Sequence, residues 1–441
     1  MTSDRPREAF VWIWLPGASE PVVAGRLEEV GGEVSLVYGR SYLARDDTIA
    51  LYTPELPLRE GRIRPLPGLD APGCILDARP DAWGQRVIMN RLIGAEAAQT
   101  DPADLGLLQF LLESGSDRIG ALDFQASPER YIARSRGNTT LDELAASAQR
   151  VEDGLPLSPA LDAALLHGSS VGGARPKALI DDGPRTLIAK FSSSTDTYAV
   201  VQGEYVAMEL ARRAGLSVAP VQLATALDKT VLLVERFDRV PGSADRRAIV
   251  SSLTILELNE LAARWASYAD LAQVIRERFT MPAATLVELF ARITFSILVG
   301  NTDDHARNHA AFWDGEMLTL TPAYDICPQL RSGGEAAQAM IIGDESDRFK
   351  LSQVAGCVQR AHLYQLTQTE ARDIVDHQID VIEKQWRDVC DQAGLPDVER
   401  KRFWKRQFLH PFALEGYQRT PPSRLRSEER PGRNTLRGNH G

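Results

Sequence analysis

A short acidic run at residues 301–308 carries the residue types that phosphoryl transfer needs. Asp303 lies five residues before Asn308, and a second carboxylate, Asp325, follows a segment of strand character. Phosphoryl transfer requires a positioned hydroxyl, a base beside it and a metal that neutralises the phosphates. We predict that Asp303 is the catalytic base. Asn308 and Asp325 offer the hard oxygen ligands that Mg²⁺ prefers, so they are the predicted metal ligands of an ATP-dependent kinase.

The segment between this loop and Asp325 is predicted to be a β-hairpin. Residues 310–313 and 316–320 have the apolar and β-branched character of strands, and Asp314-Gly315 lies between them. An Asp-Gly pair is a strong signal for a tight hairpin turn. A kinase-type site has the same order, with a loop, a two-stranded turn and then a second Asp.

Two other interpretations of the loop stay open. An Asp-rich loop is also typical of a simple solvated turn. His305 and His309 lie four residues apart, which is the spacing of zinc ligands on a helix. The flanking residues favour a loop and lack the catalytic Glu of the helical zinc motif, so zinc is the less favoured metal.

A small-residue loop at 169–177 precedes two predicted strands at 178–180 and 186–191. Glycines in such a loop let backbone N–H groups approach phosphate oxygens, although Gly172-Gly173 alone would more often be a plain turn. The position of Lys190 makes the loop a stronger candidate for phosphate binding. Kinases carry the lysine that binds the inner phosphates of ATP on the strand behind a Gly-rich hairpin.

A helix is predicted at 201–214, followed by Gly215 at a C-cap position. Glu204 in its first turn has two possible roles. It could pair with Lys190, as a helix glutamate does in kinases, or it could simply favour the positive end of the helix dipole. The sequence does not decide between the two.

A second hairpin is predicted at 218–234, with its turn at Asp228-Lys229, and it runs into the segment 235–239. In a two-lobed kinase this segment is the hinge, whose backbone pairs with adenine. Arg236 and Arg239 could instead be ordinary surface charges.

Composition limits the class of protein. The chain has 441 residues, enough for two or three domains, and a net charge of −10, which argues against a nonspecific nucleic-acid binder. No signal peptide or membrane span of about 20 apolar residues is evident. The cysteines have no paired spacing, which suits a reducing cytoplasm and a cytoplasmic location; they are Cys74, Cys327, Cys357 and Cys390.

We therefore predict an α+β, two-lobed protein-kinase-like fold with a β-rich N-terminal subdomain and a mostly helical C-terminal lobe. The predicted units are a β-rich subdomain with helices at 1–150, a nucleotide-binding part at 151–240, a helical catalytic lobe at 241–418 and a tail at 419–441. We also predict a strand at 118–124 that closes the first unit and a helix at 398–408 in the catalytic lobe. The tail carries six arginines and few apolar residues, and we expect it to be disordered.

Several motifs in order resemble the HipA family of bacterial toxin kinases. The resemblance covers nearly the whole chain, and five motifs in one order make chance similarity improbable. The main motifs are residues 170–177, 190–191, 235–239, 303–308 and 322–325, with further similarity at 80–84 and 119–122.

The resemblance implies a Ser/Thr kinase that phosphorylates a translation component, typically an aminoacyl-tRNA synthetase, and so arrests growth. It also implies a HipB-like helix-turn-helix antitoxin, through which the protein would reach DNA, and no membrane. Many members autophosphorylate a Ser in the Gly-rich loop, and Ser170 matches that position; an unmodified turn Ser is the alternative. The nucleotide-binding residues implied are Val171, Gly172, Gly173, Ala174, Arg175, Lys177, Lys190, Glu235, Phe237, His305, Asn308, Tyr324 and Asp325.

The chain departs from the best-known members at two places. Pro176 stiffens the Gly-rich loop, and Asp304 replaces a Gly, which makes the catalytic loop more acidic. Two other classes stay open: a small-molecule kinase of the aminoglycoside or sugar type, and a non-catalytic nucleotide-binding partner of a repressor. The β-rich N-terminal unit disfavours the former. The complete chemical set disfavours the latter, namely Lys190, Asp303, Asn308 and Asp325.

Overall fold

The computed structural model describes residues 5–134, 139–155, 175–331 and 333–419. The strands are β1 (Glu8–Ile13), β2 (Val22–Val30), β3 (Glu33–Tyr38), β4 (Arg62–Ile63), β5 (Leu122–Gln125), β6 (Lys177–Asp182), β7 (Arg185–Lys190), β8 (Val221–Ala226), β9 (Lys229–Glu235), β10 (Ala248–Ser251), β11 (Ala310–Trp313) and β12 (Leu318–Leu320). The pairs within each sheet are antiparallel, and the sheets have the orders β4-β3-β2-β1-β5, β6-β7-β9-β8 and β10-β11-β12.

The helices lie mostly in the C-terminal part of the chain. They are α1 (Arg40–Leu43), α2 (Gly73–Asp77), α3 (Ala82–Ile93), α4 (Leu107–Glu113), α5 (Leu141–Glu152), α6 (Val200–Arg213), α7 (Ser252–Ile255), α8 (Tyr268–Arg278), α9 (Pro282–Val299), α10 (Val354–Gln359), α11 (Gln368–Gln392) and α12 (Asp397–Phe403). Short 3-10 turns occur at Gly94–Gln99, Pro102–Asp104, Ala263–Trp265, Ala306–Asn308, Ala361–Tyr364 and Pro411–Leu414. The predicted α+β class is confirmed.

The sheet β6-β7-β9-β8 carries the predicted nucleotide lysine. Lys177 and Lys190 are direct partners across β6 and β7, so both side chains leave the same face of the sheet. The β8–β9 hairpin turns at Leu227 and Asp228, both of which have positive φ, as a tight two-residue turn requires. This turn lies within one residue of the predicted position.

Two helices from the N-terminal part cover the opposite face of this sheet. Trp83 and Val87 on α3 and Leu144 and Ala148 on α5 form one buried cluster with sheet side chains such as Leu187. Thr140 caps α5 by a capping box with Glu143, a local signal that fixes where the helix begins. The helices predicted for the 1–150 unit thus share a core with the strands of the 151–240 unit. The domain boundaries themselves stay a prediction.

The core of the C-terminal lobe is built around α9. By length and composition alone, this helix is long and apolar enough to cross a membrane. However, 61% of its 18 residues are buried inside the protein, as in an apolar core helix. Gly300 ends it in the left-handed conformation with φ +73°. A Cβ at Gly300 would lie 2.9 Å from the carbonyl oxygen of Gln407, so this position requires glycine for space as well as for conformation.

Two predicted elements are shorter in the structure. The strand expected at 118–124 begins only at Leu122, because Arg118 is fully buried as an ion-pair partner and Gly120 turns the chain with φ +77°. The helix expected at 398–408 ends at Phe403, and Lys405 turns the chain with φ +58°.

The predicted tail lies outside the described residues except for Arg419, which forms ion pairs with Asp380 and Glu383 on α11. The four cysteines are all free and buried.

Candidate active site

A cleft of about 510 Å³ lies between the four-stranded sheet and the loop after α9. Ile188, Lys190 and Val234 line it from the sheet, and Asn308 and Asp325 line it from the other side. A wider cavity of about 820 Å³ beside the N-terminal sheet contains none of the predicted chemical residues. Most of the predicted site residues in the described ranges line this cleft, namely Lys190, Glu235, Phe237, His305, Asn308, Tyr324 and Asp325. Asp303, Arg175 and Lys177 are not among its lining residues.

Lys190 joins the two sides of this cleft. Its Nζ lies 2.5 Å from Oε1 of Glu204 on α6 and 2.6 Å from Oδ1 of Asp325. Burial lowers the pKa of Lys190, but the two carboxylates outweigh burial and hold the pKa above its ordinary value. The ammonium is thus firmly charged. Of the two roles that the sequence left open for Glu204, the structure shows the pairing with Lys190.

Asp325 is held in an uncommon backbone conformation. Its φ is +59°, in the left-handed region, while Ala323 before it bonds to Ser217 and so ties the segment to the sheet side of the lobe. Such a conformation costs of order 1 kcal/mol or more and is found mainly at functional sites. Burial raises the pKa of Asp325, but Lys190 outweighs it and holds the pKa below its ordinary value. The carboxylate is therefore ionised, as a metal ligand must be.

The loop after Gly300 places Asp303 and Asn308 side by side. The carbonyl of Asp303 accepts hydrogen bonds from the amide of His305 at 2.9 Å and from Nδ2 of Asn308 at 3.2 Å. Asn308 is buried, whereas Asp303 is exposed toward solvent. Burial raises the pKa of Asp303, His305 opposes this and Asp325 reinforces it, with a raised pKa as the result.

Asp304 points away from the cleft. It is buried, accepts from the hydroxyl of Tyr268 at 2.5 Å and lies 3.1 Å from Nε2 of His309. Burial raises its pKa, but His309 and Tyr268 outweigh burial and lower it. Asp304 thus anchors the loop to α8 and adds no exposed negative charge, contrary to the expectation of a more acidic catalytic loop.

His305 and Tyr324 both line the cleft. The Nδ1 atom of His305 is buried and has no hydrogen-bond partner within the described part of the chain. The Tyr324 hydroxyl donates to the carbonyl of Arg307 at 2.6 Å, and its ring lies 5.6 Å from that of Phe237. Tyr324 therefore connects the catalytic loop to the predicted hinge.

The predicted hinge offers fewer free backbone groups than expected. The amide of Glu235 already donates to the carbonyl of Pro220, and that of Arg236 donates to Thr186. Within the described part of the chain, the N–H and C=O of Phe237 make no backbone hydrogen bond. Phe237 is therefore the residue whose backbone is open to a ligand, and the amide of Glu235 is not.

Arg236 and Arg239 are buried ion-pair partners and not surface charges. Both guanidinium groups bind Asp238 and Asp117, at distances of 2.7–2.9 Å. They also donate to the carbonyl of Arg118. This cluster fixes the hinge to the N-terminal subdomain.

Two predicted phosphate ligands have carboxylate partners. Nζ of Lys177 lies 2.7 Å from Asp81 at the start of α3, and the residue is 1% exposed. Arg175 forms a two-pronged pair with Asp196 at 2.7 and 3.0 Å. The other loop residues fall outside the described part of the chain, and their predicted roles stay predictions; they are Ser170, Val171, Gly172, Gly173 and Ala174.

The donor set fits magnesium better than zinc. One carboxylate and one amide, from Asp325 and Asn308, border the same cleft and suit a hard cation that keeps several waters. Among the described residues, no group of three or more His, Cys, Asp or Glu is placed to hold a metal ion. His305 and His309 do not form a zinc site, because His309 is turned to Asp304.

Sequence reasoning missed the contribution of α2 and its neighbours. Asp77 borders the cleft and accepts hydrogen bonds from Ser251, Thr254 and Arg307 at 2.7–3.0 Å. These partners are about 170 to 230 residues away along the chain, so no local pattern could reveal them. Asp81 lies in the segment 80–84, which resembles the corresponding HipA motif, and this resemblance was the sequence signal for its position near the cleft.

Comparison with known proteins finds a matching domain family and relatives that are named kinases. Residues 169–386 match the HipA-like C-terminal domain. The Y4mE protein of Sinorhizobium fredii, named a kinase, is 26% identical over 343 residues, covering 71% of this chain and 76% of the relative. The serine/threonine-protein kinase toxin HipA of Shewanella oneidensis is 29% identical over 181 residues, covering 37% of this chain and 41% of the relative.

The fold agrees with this assignment. The solved structure of the Shewanella oneidensis toxin–antitoxin complex of HipA, HipB and operator DNA contains a chain that superposes with a TM-score of 0.63. The match covers 92% of this chain and 97% of that chain at 18% identity. The chain therefore contains a HipA-like C-terminal domain at residues 169–386, and it shares its overall fold with the HipA chain of that complex.

Proposed function

We propose that this chain is a Ser/Thr protein kinase that transfers the γ-phosphoryl group of ATP to a hydroxyl of a translation component, such as an aminoacyl-tRNA synthetase. The observation that carries the proposal is the contact of Lys190 with both Glu204 and Asp325 at 2.5 and 2.6 Å. A buried ammonium between a helix carboxylate and a loop carboxylate is the arrangement that a kinase uses to position phosphates.

Each residue has a role that its surroundings support. Asp303 is exposed at the mouth of the loop, where its carboxylate can take the proton of an incoming hydroxyl. The hydroxyl oxygen then forms a bond to the γ-phosphorus, the bond to the bridging oxygen breaks, and ADP leaves. Lys190 positions the inner phosphates. The backbone of Phe237 is the open hydrogen-bonding group for adenine.

Asn308 and Asp325 would hold Mg²⁺, which supplies positive charge beside the phosphates when it is bound. Asn308 is preorganised, because its Nδ2 already donates to the carbonyl of Asp303 and so leaves the amide oxygen as the metal ligand. Lys190 keeps Asp325 ionised. Tyr324 fixes the loop position by its bond to the carbonyl of Arg307.

The regulation follows from the family. We propose that a HipB-like helix-turn-helix antitoxin neutralises the kinase and supplies most contacts to DNA, since the net charge of this chain is −10. The solved HipA relative was obtained with HipB and its operator DNA. Autophosphorylation of Ser170 would add close to two negative charges, which repel the phosphates of ATP. Unrestrained activity would arrest growth in the cytoplasm.

The test is phosphoryl transfer by matched variants. Wild type, Asp303→Gln, Asp325→Asn and the control Asp373→Asn, an exposed residue of α11, are incubated with Mg²⁺ and ATP. Intact mass should rise by one phosphate in wild type and control only, and peptide mapping should place it on Ser170. We expect a loss of about 10²-fold or more in the two active-site variants.

The substrate class is identified by phosphoryl transfer to proteins in a lysate of cells that lack the antitoxin gene. Labelling of one translation component by wild type, but not by Asp303→Gln, supports the proposal. Transfer only to an aminoglycoside or a sugar would replace it with the small-molecule class. Activity that survives both active-site changes would refute the assignment of the site.

A further inference from the structure

A second cavity, of about 420 Å³, lies in the C-terminal lobe and is lined mainly by basic and polar side chains. It shares no lining residue with the nucleotide cleft. No carboxylate is among its described lining residues. The polar side chains around it come from the loop before α6, the segment after Asp325 and the chain after α12; they are Thr197, Arg331, Arg402, Arg406, Gln407 and His410.

Arg331 is the unusual member of this group. Its Nε, Nη1 and Nη2 atoms are all buried, and none has a hydrogen-bond partner among the residues that the structure describes. A buried guanidinium without an anion or acceptor is costly, and buried polar groups in native proteins are almost always satisfied. By contrast, each arginine that lines the nucleotide cleft has a carboxylate partner, as Arg307 has in Asp77 and Arg236 has in Asp238. Among the described residues, Arg331 has no such carboxylate partner.

The neighbouring groups are also arranged as donors. Nδ1 of His410 accepts from the amide of Phe412 at 3.0 Å, so in the neutral ring the proton is on Nε2. Gln407 is 2% exposed, and its Oε1 is buried without a hydrogen-bond partner in the described ranges. The amide orientation is interchangeable, so the NH₂ group of Gln407 can face the cavity as a donor.

The other two arginines complete the positive wall. Arg402 uses Nη1 for the carbonyl of Thr197 at 2.7 Å and for Glu399 at 3.1 Å, which fixes the side chain at the edge of the cavity. Arg406 is exposed at the rim. An anion that enters thus meets a fixed guanidinium, an unpaired one and a third that can close over it.

We propose that this cavity binds a phosphate-class oxyanion, either the free ion or a phosphoryl group carried on a side chain. The planar guanidinium of Arg331 matches two phosphate oxygens at once, and charge-assisted bonds of this kind are the strong ones. The cavity volume leaves space for the residue that carries the group. This site is separate from the ATP cleft and does not depend on the kinase assignment.

The experiment measures thermal unfolding of the full chain in chloride, inorganic phosphate and phosphoserine buffers of equal ionic strength, with serine as a further control. Arg331→Met removes the orphan charge, and Arg406→Met removes the exposed rim charge. Arg40→Met, an exposed change on α1, matches the loss of one positive charge elsewhere. Calorimetric titration with phosphate gives the affinity.

Phosphate should raise the unfolding temperature of wild type and Arg40→Met, and bind at least about tenfold more weakly to Arg331→Met. In chloride, Arg331→Met should be at least as stable as wild type, because it removes an unpaired buried charge. A larger effect of phosphoserine than of phosphate identifies a carried phosphoryl group, and equal effects identify the free ion. Equal stabilisation by phosphate of wild type, Arg331→Met and Arg406→Met would overturn the proposal.

Discussion

Three carboxylates in or beside the nucleotide cleft have different proton affinities because their neighbours differ. Burial raises the pKa of Glu204 more than Lys190 lowers it, whereas Lys190 holds the pKa of Asp325 below its ordinary value. Asp303 has no direct cation, and its pKa is raised. Environments that separate the pKa values of similar groups also separate their roles. The metal-ligand role suits Asp325, and the proton-accepting role suits Asp303.

The acid limb of activity should therefore report Asp303. The base must be ionised to accept a proton, so kcat/KM should rise with pH through a pKa above the ordinary value of 3.8. His305 lowers this pKa, so His305→Gln should move the acid limb to higher pH. The matched control is His362→Gln, at an exposed position. A limb that stays in place in His305→Gln would contradict the prediction.

At the scale of elements, the hinge is fixed by charge rather than by apolar packing. Asp238 accepts from Arg236, from Arg239 and from the amide of Gly120 at 2.7–2.9 Å. Burial raises the pKa of Asp238, but the two arginines outweigh it and hold the pKa below its ordinary range. Strand β9 and the turn after Arg118 are thereby joined through one buried carboxylate.

Asp238→Asn should destabilise the protein strongly. The substitution keeps the shape but removes one of the two carboxylates that the guanidinium groups of Arg236 and Arg239 share and leaves only Asp117, at a cost of about 3–5 kcal/mol. Because the folded pKa is depressed, the stabilisation is present above the ordinary pKa of an aspartate and is lost as pH falls below it. Urea unfolding at pH 7 and at pH 3 measures both effects.

The difference between wild type and variant should be large at pH 7 and smaller at pH 3. Asp373→Asn is the control, since this exposed residue should change the free energy of unfolding by less than about 0.5 kcal/mol. A pH-independent difference would show that the Asp238 charge is not responsible.

Local signals predicted the elements, and long-range pairs escaped prediction. Asp314-Gly315 is a local signal that predicts the β11–β12 hairpin. In the structure Gly315 has a positive φ of +109°, which glycine adopts readily. The burial of Arg118 and the anchoring of Asp304 by Tyr268 depend on partners in other elements, so the sequence predicted a strand and an acidic loop in their place. The candidate residues for the chemistry came from the spacing of motifs along the chain, and their roles stay predictions.

At the scale of the whole molecule, the N-terminal part and the nucleotide sheet form one folding unit. Trp83 on α3 is fully buried, and its Nε1 donates to the carbonyl of Lys177 on β6 at 3.0 Å. Asp81, two residues earlier at the N-cap of α3, binds Nζ of the same lysine. The two parts therefore share apolar contacts, a hydrogen bond and an ion pair.

Trp83→Ala should lower the stability of both parts together by about 3–5 kcal/mol, because it leaves a cavity and an unpaired carbonyl. Trp265→Ala, at a position that is 54% exposed, is the control. Hydrogen exchange of β1–β2 and of β6–β7 amides should accelerate to the same extent. Faster exchange confined to one of the two hairpins would contradict a shared unit.

Because all four cysteines are buried, the rate at which a thiol reagent labels each one reports how often that part of the protein opens. Thiol reagents attack the thiolate, and burial raises the pKa of Cys327 and, to about 12, those of Cys357 and Cys390. The folded protein should therefore be almost inert to alkylation. Cys327 lies two residues after Asp325, so its rate of labelling should report opening of the nucleotide cleft beside Asp325. The labelling rate of Cys390 on α11 should report local unfolding of the helical lobe.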